Sequence, residues 1–214
     1  MAKIAAFFVE GGFWMIPVGC VSFMVAAIAV ERVIFLFFKY NIDGKQFMDQ
    51  VEKLVKANNV DRAVKLCNAA PSAALATVVK AGLTHANKGE AEIIAGVEEA
   101  NLEVMPLLNK RTAALAGMGS LATLLGLLGT VMGLIEAFTV VAKAPADQKS
   151  ALLSAAIGVA MNTTAFGLMV AIPTILIHMM LMGITKKITN EIDYYTVRLE
   201  NLLFARGKGE HSGS

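Results

Sequence analysis

Little in this chain serves water-facing chemistry. Only 17% of its 214 residues are charged and only three are histidines. No nucleophile triad, nucleotide-binding loop or convergent His/Asp/Glu set emerges, so no enzymatic activity and no cofactor is expected. Cysteine is nearly absent. Cys20 lies in an apolar run and Cys67 in a polar stretch, without metal-ligand spacing or a disulfide framework, and both read as free thiols. A net charge of +2 with no basic cluster among aromatics argues against a nucleic-acid partner. No strand-rich region and no internal repeat is evident.

What the chain has is apolar length. Hydrophobic residues make up 56%, high for a soluble domain. One run extends from about Gly11 to Phe38, with Pro17 near its start and Glu31-Arg32 near its inner end. Lys3 is the only basic residue before it and Glu10 interrupts, which fits a retained span better than a cleaved signal. A second run is uncharged from Thr112 to Ile135, a third from Ser150 to Thr185. At ~1.5 Å per residue the third exceeds a ~30 Å hydrocarbon core. It must tilt, kink at Pro173, or continue as a helix beyond the membrane. Pro106 is a candidate bend before the second run.

Charge supplies an orientation. Ten of the nineteen basic residues fall from Lys39 to Arg111 and five more follow the third run, against two in the 142–149 link. The positive-inside rule then puts the 39–111 segment and the tail in the cytoplasm. The expected organisation is an all-α polytopic membrane protein with three transmembrane helices and cytoplasmic helical extensions. Residues 1–38 hold the outside N-terminus and first span, and 39–111 a cytoplasmic helical region. The second span is 112–141 and the outside link 142–150. The third span with a cytoplasmic extension is 151–186, and 187–214 form a cytoplasmic tail, disordered from Gly207.

Within 39–111 apolar residues recur at helical spacing in Phe47, Met48, Val51, Leu54 and Val55. Asn58-Asn59 breaks that helix, another runs from Val60 to Ala69, Pro71 starts a third and Asn87–Gly89 ends it. From Glu90 one long helix is expected to continue through Arg111 into the second span.

The informative polarity lies inside the second and third runs. Gly119, Ala122, Gly126, Thr130, Gly133 and Ala137 share one helical face. Ala156, Ala160, Thr163-Thr164, Gly167 and Ala171 form a matching stripe. Small residues let helices approach closely in lipid, and hydroxyls there mark a packed interface or an ion route. A back-bond to the carbonyl four residues earlier is the simpler role for Thr130 and Thr164. Asn162 satisfies its amide less easily that way and should reach another helix. Thr123 lines up with Thr130 as a second rung. Glu136 fits the outer interface or a cation entrance, and His178 an interfacial position or proton handling.

Leu124–Gly133 (LLGLLGTVMG), with Ala160, Thr163-Thr164-Ala-Phe-Gly167 and Ala171-Ile-Pro173, resembles the MotA/TolQ/ExbB proton-channel family over nearly the whole chain. The resemblance implies an ion-conducting subunit of the bacterial inner membrane, N-terminus outside and C-terminus cytoplasmic. It implies a homopentameric ring around a dimer of a single-span ExbD/TolR-type partner carrying an essential membrane aspartate. Ion flow would drive movement of the partner for work in the cell envelope. Thr130 and Thr164 match the family's two route-lining threonines, with Thr163, Asn162 and Thr123 beside them. Gly126, Gly133, Gly167 and Pro173 fall to ring or partner packing. Many ExbB/TolQ members carry a glutamate five residues before the second threonine, where this chain has Val159, and a proline where it has Thr123. The double threonine without that glutamate looks closer to flagellar-stator third spans. The coupling ion is therefore H+ or Na+, with sodium near Thr130, Thr163 and Thr164. A non-conducting membrane scaffold is the alternative.

Overall fold

The computed structural model describes residues 12–36 and 42–211, and every regular element among them is helical. The helices are α1 (Met15–Ile34), α2 (Gly44–Lys56), α3 (Val60–Ala69), α4 (Ala74–Thr84), α5 (Glu90–Asn109), α6 (Thr112–Lys143) and α7 (Lys149–His211). Gly11 and residues 37–38, assigned above to the first span, lie outside the described residues.

The chain divides into two compact units, Met1–Glu31 with Arg111–Met180, and Arg32–Lys110 with Leu181–Ser214. The first contains the apolar parts of α1, α6 and α7. Each of these helices is long and apolar enough to cross a membrane, so the chain is an integral membrane protein. Pro17 is tolerated because it falls in the first turn of α1, where backbone N–H groups have no helical partner. The first unit exposes many large apolar side chains as well as burying some. Besides Met15, Val18 and Leu115, its buried positions include the small residues Gly119, Ala122, Gly126, Ala160 and Gly167. Phe23, Leu124, Phe138, Met169 and Met180 are exposed. Large apolar side chains turned outward would be a liability in water, but they match hydrocarbon.

In the second unit α2 presents Met48, Val51 and Val55 to the interior, as the spacing predicts. Asp43 caps it, accepting from the Gln46 amide at 3.2 Å, and Asn58 ends it in a left-handed conformation. Helix α3 has the expected bounds. Helix α4 starts three residues after Pro71 and stops at Thr84, earlier than the Asn87–Gly89 turn. Arg198 of α7 pairs with Asp49 at 3.8 Å and with Glu52, tying α2 to α7. Buried Arg32 donates to the carbonyls of Leu107 and Leu108, at 3.1 and 3.3 Å. Those carbonyls belong to the last turn of α5, where no helical donor remains and a cation is favoured. Helix α5 runs through Pro106 without ending. Cys67 is buried and its thiol is pushed up to about 11, chiefly by desolvation.

Two expectations are corrected. The helix from Glu90 does not continue into the second span. It stops at Asn109, Arg111 takes a left-handed conformation at φ 61°, and α6 begins at Thr112. Helix α7 runs to His211, past the Gly207 at which disorder is expected, and residues 212–214 lie outside the described residues. The third run continues as a helix beyond Thr185, with Pro173 inside it.

A candidate functional site along the α6–α7 seam

Glycine is costly inside a helix, about 1 kcal/mol relative to alanine, yet α6 carries five, at 117, 119, 126, 129 and 133. Contact with α7 explains four of them. A methyl group on Gly126 would lie 3.2 Å from the Thr163 carbonyl oxygen and from the Thr164 Cα, and 3.3 Å from the Gly167 Cα. On Gly167 it would lie 2.7 Å from the Ala122 carbonyl oxygen. Backbone thus meets backbone, which any side chain would prevent. Gly133 faces Ala160 and Gly119 faces Thr174, at 3.1 and 3.4 Å by the same measure. Gly129 faces the Thr163 methyl and Trp14.

This close approach brings two hydroxyls together. Thr130 Oγ1 of α6 and Thr164 Oγ1 of α7 are hydrogen-bonded across the seam. Around them lie two backbone oxygens. Gly126 O is 3.3 Å from Thr130 Oγ1 and 3.0 Å from Thr164 Oγ1, and Ala160 O is 3.2 Å from Thr130 Oγ1. Thr130 therefore makes the back-bond to Gly126, but it also reaches the other helix. Two hydroxyl protons have three kinds of acceptor available: each other, Gly126 O and Ala160 O. Alternative donor arrangements of similar geometry are what a hydroxyl relay needs, and four clustered oxygens are also the ligand type a hard cation takes.

The other sequence-predicted residues are placed differently. Thr123 is half-buried and back-bonds to Gly119 O at 3.3 Å, one rung along from the pair. Thr163 is buried, bonds Val159 O at 3.4 Å and turns its methyl toward Gly129, so its hydroxyl is not brought into the four-oxygen cluster. Asn162 is half-buried, and no hydrogen bond to its amide occurs among the described residues. Pro173 lies with Ser22, Val25, Ala26, Phe166 and Met169 around an apolar groove of about 310 Å³ between α1 and α7. Glu136 is exposed.

Sequence reasoning missed Gly129 and the Ala160 carbonyl. Gly129 sits one position off the small-residue stripe, but a glycine directly before Thr130 was a signal of close contact. The acceptor role of a backbone carbonyl leaves no mark in sequence.

A profile of the MotA/TolQ/ExbB proton channel family matches residues 70–194, which contain the whole seam. The chain belongs to this family. Its relatives include biopolymer transport protein exbB1 of Vibrio cholerae, 48% identical over 58 residues, which are 27% of this chain and 25% of that protein. Biopolymer transport protein ExbB of Neisseria gonorrhoeae is 31% identical over 101 residues, 47% of this chain and 46% of that protein. An ExbB-like biopolymer transport protein of Synechocystis is 26% identical over 167 residues, covering 78% of this chain and 79% of that protein. The matched stretch spans only about a quarter of the Vibrio protein's length.

Proposed function

We propose that the chain is the ion-conducting subunit of an inner-membrane motor that couples an ion gradient to work in the cell envelope, of the biopolymer-transport kind. The observation that carries this reading is the Thr130–Thr164 hydroxyl pair with the Gly126 and Ala160 carbonyls, held inside a seam of membrane-length helices. Family membership supports it. Five copies would surround two single-span ExbD/TolR-type partners, whose membrane carboxylate exchanges the ion with the threonine pair. The chain itself would make and break no covalent bond and hold no cofactor. Thr123 extends the route by one rung. Asn162 reaches a neighbouring copy, and Thr163 supports the cluster from its buried side. The N-terminus and the 142–150 link face outside, while the 39–110 region and the helical tail face the cytoplasm.

The ion is H+ or Na+. A hydroxyl pair relays protons without a carboxylate of its own, which suits a chain with Val159 at the family's glutamate position. The same four oxygens, completed by the partner's carboxylate, would suit sodium. Replacing Thr130 by Val tests the reading. Ion-driven work should disappear while the assembly stays intact, and full work by an intact Thr130→Val assembly would favour a packing scaffold instead.

A further inference from the structure

Within the first unit, three helices are cross-connected where α6 begins. Arg111, left-handed and immediately before α6, donates to Glu31 near the end of α1. One residue further on, the Thr112 carbonyl lies 3.0 Å from His178 Nδ1 on α7. Thr112 is only 1% exposed, and its hydroxyl is buried without a hydrogen-bond partner among the described residues.

A carbonyl can only accept, so His178 Nδ1 carries the hydrogen and, in the neutral ring, the lone pair falls on Nε2. The imidazole is fixed through Nδ1, while Nε2 has no hydrogen bond among the described residues, the arrangement of a base. It is half-buried. Helix α6 has no ionisable group between Arg111 and Glu136, α7 has no other between Lys149 and Lys186, and α1 carries no charge before Glu31. Among the described residues of the first unit, Glu31 and Arg111 flank this contact, and they pair with each other. At 3.6 residues per turn, His178 lies about four turns past Thr164, and Thr112 five turns before Thr130. Imidazole and buried hydroxyl thus sit on the helical faces that carry the threonine pair.

We propose that His178 is a proton-exchanging group at this end of the α6–α7 seam. Nε2 takes up a proton to give the imidazolium, with Nδ1–H still on the Thr112 carbonyl, and releases it to the adjacent aqueous phase. This assignment rests on the seam being an ion route, and it makes the proton the ion.

Two measurements on the full-length chain test it. In lipid bilayers, with nitrogen-15 histidine assigned by difference from His178→Gln, the His178 ring should convert reversibly between its neutral form and the imidazolium, with Nδ1 protonated throughout. In proteoliposomes of the complex purified from its own membrane, His178→Gln should cut proton flux on the order of a hundredfold. Glutamine retains a donor for the Thr112 carbonyl, so assembly should match the wild type. A ring that never takes up a proton at Nε2, or a Gln variant whose flux equals the wild type, overturns the assignment alone. A wild-type complex that carries no proton flux while Nε2 of His178 exchanges its proton overturns the ion-route reading, and the assignment with it.

Discussion

Thr130 and Thr164, thirty-four residues apart, share a hydrogen bond across the α6–α7 seam, and both also lie within bonding distance of the same backbone oxygen, that of Gly126. The residue that makes the pair possible is thus the one whose missing side chain lets the helices touch. Packing and polarity are one design here, because an added methyl at Gly126 would separate the hydroxyls as well as the backbones.

Glycine substitutions should rank by what the added methyl meets. Gly167→Ala collides with the Ala122 carbonyl and Gly126→Ala with three α7 backbone atoms, whereas Gly117 has open space around it. The first two should each destabilise the protein by ~1–3 kcal/mol. Gly117→Ala should be neutral or slightly stabilising. Thermal unfolding in detergent checks the order, and equal effects at 117 and 167 would contradict the described seam.

Hydroxyl substitutions should separate the two rungs. Thr130→Val removes a cross-helix hydrogen bond, worth about 0.6–2 kcal/mol in membrane helices, whereas Thr123→Val removes only a back-bond. Ion-driven work should fall strongly in the first variant and little in the second. Thr130→Ser, which keeps the hydroxyl, should restore most of it.

Cys67 should be a poor reporter of sidedness. Desolvation raises its pKa from 9.0 to about 11, so its thiolate fraction at pH 8 is roughly a hundredfold below that of an ordinary thiol. Slow labelling of Cys67 then reflects burial rather than membrane protection. Cysteines at exposed Asn58 and Asp147 are the better pair. In intact cells an impermeant reagent should label position 147 and spare position 58, and the opposite pattern would invert the topology. The raised pKa also has a stability consequence. The folded state holds the thiol proton more tightly, so this contribution is fully present below pH 9 and is lost as pH rises toward 11. Cys67→Ala should flatten that alkaline decline in Tm.

Arg32 closes the end of α5. Removing it in Arg32→Ala leaves the Leu107 and Leu108 carbonyls without this donor and should cost about 1.5–3 kcal/mol, the range for hydrogen bonds to charged groups. Arg32→Lys should recover only part, since an ammonium lacks the planar fork. Limited proteolysis near Asn109 should accelerate in both, more in the alanine variant.

Sequence carried the membrane-length helices and the small-residue stripe because both are periodic and local. Gly119, Ala122, Gly126 and Ala137 are buried as their spacing predicts, and Val60–Ala69 is a helix with its expected bounds. The break at Arg111 was not legible. Asn109-Lys-Arg-Thr112 contains no glycine or proline, and the ion partner of the left-handed Arg111 is Glu31, eighty residues away. At the tail the local composition argues for disorder from Gly207, while α7 is helical to His211. Thr163 and Thr164 are adjacent and chemically identical, yet a 100° step between neighbours on a helix puts one hydroxyl in the pair and the other on the Val159 carbonyl.

Ion flux measured directly decides the central claim. The complex purified from its own membrane, reconstituted in liposomes, should conduct H+ or Na+ under an imposed gradient. Replacing sodium by potassium, then adding a protonophore, identifies which. Thr130→Val and Thr164→Val complexes of unchanged mass should each fall to the background of protein-free liposomes. Undiminished flux through both intact valine complexes would mean that the ions take another path and that the hydroxyl pair only packs the seam.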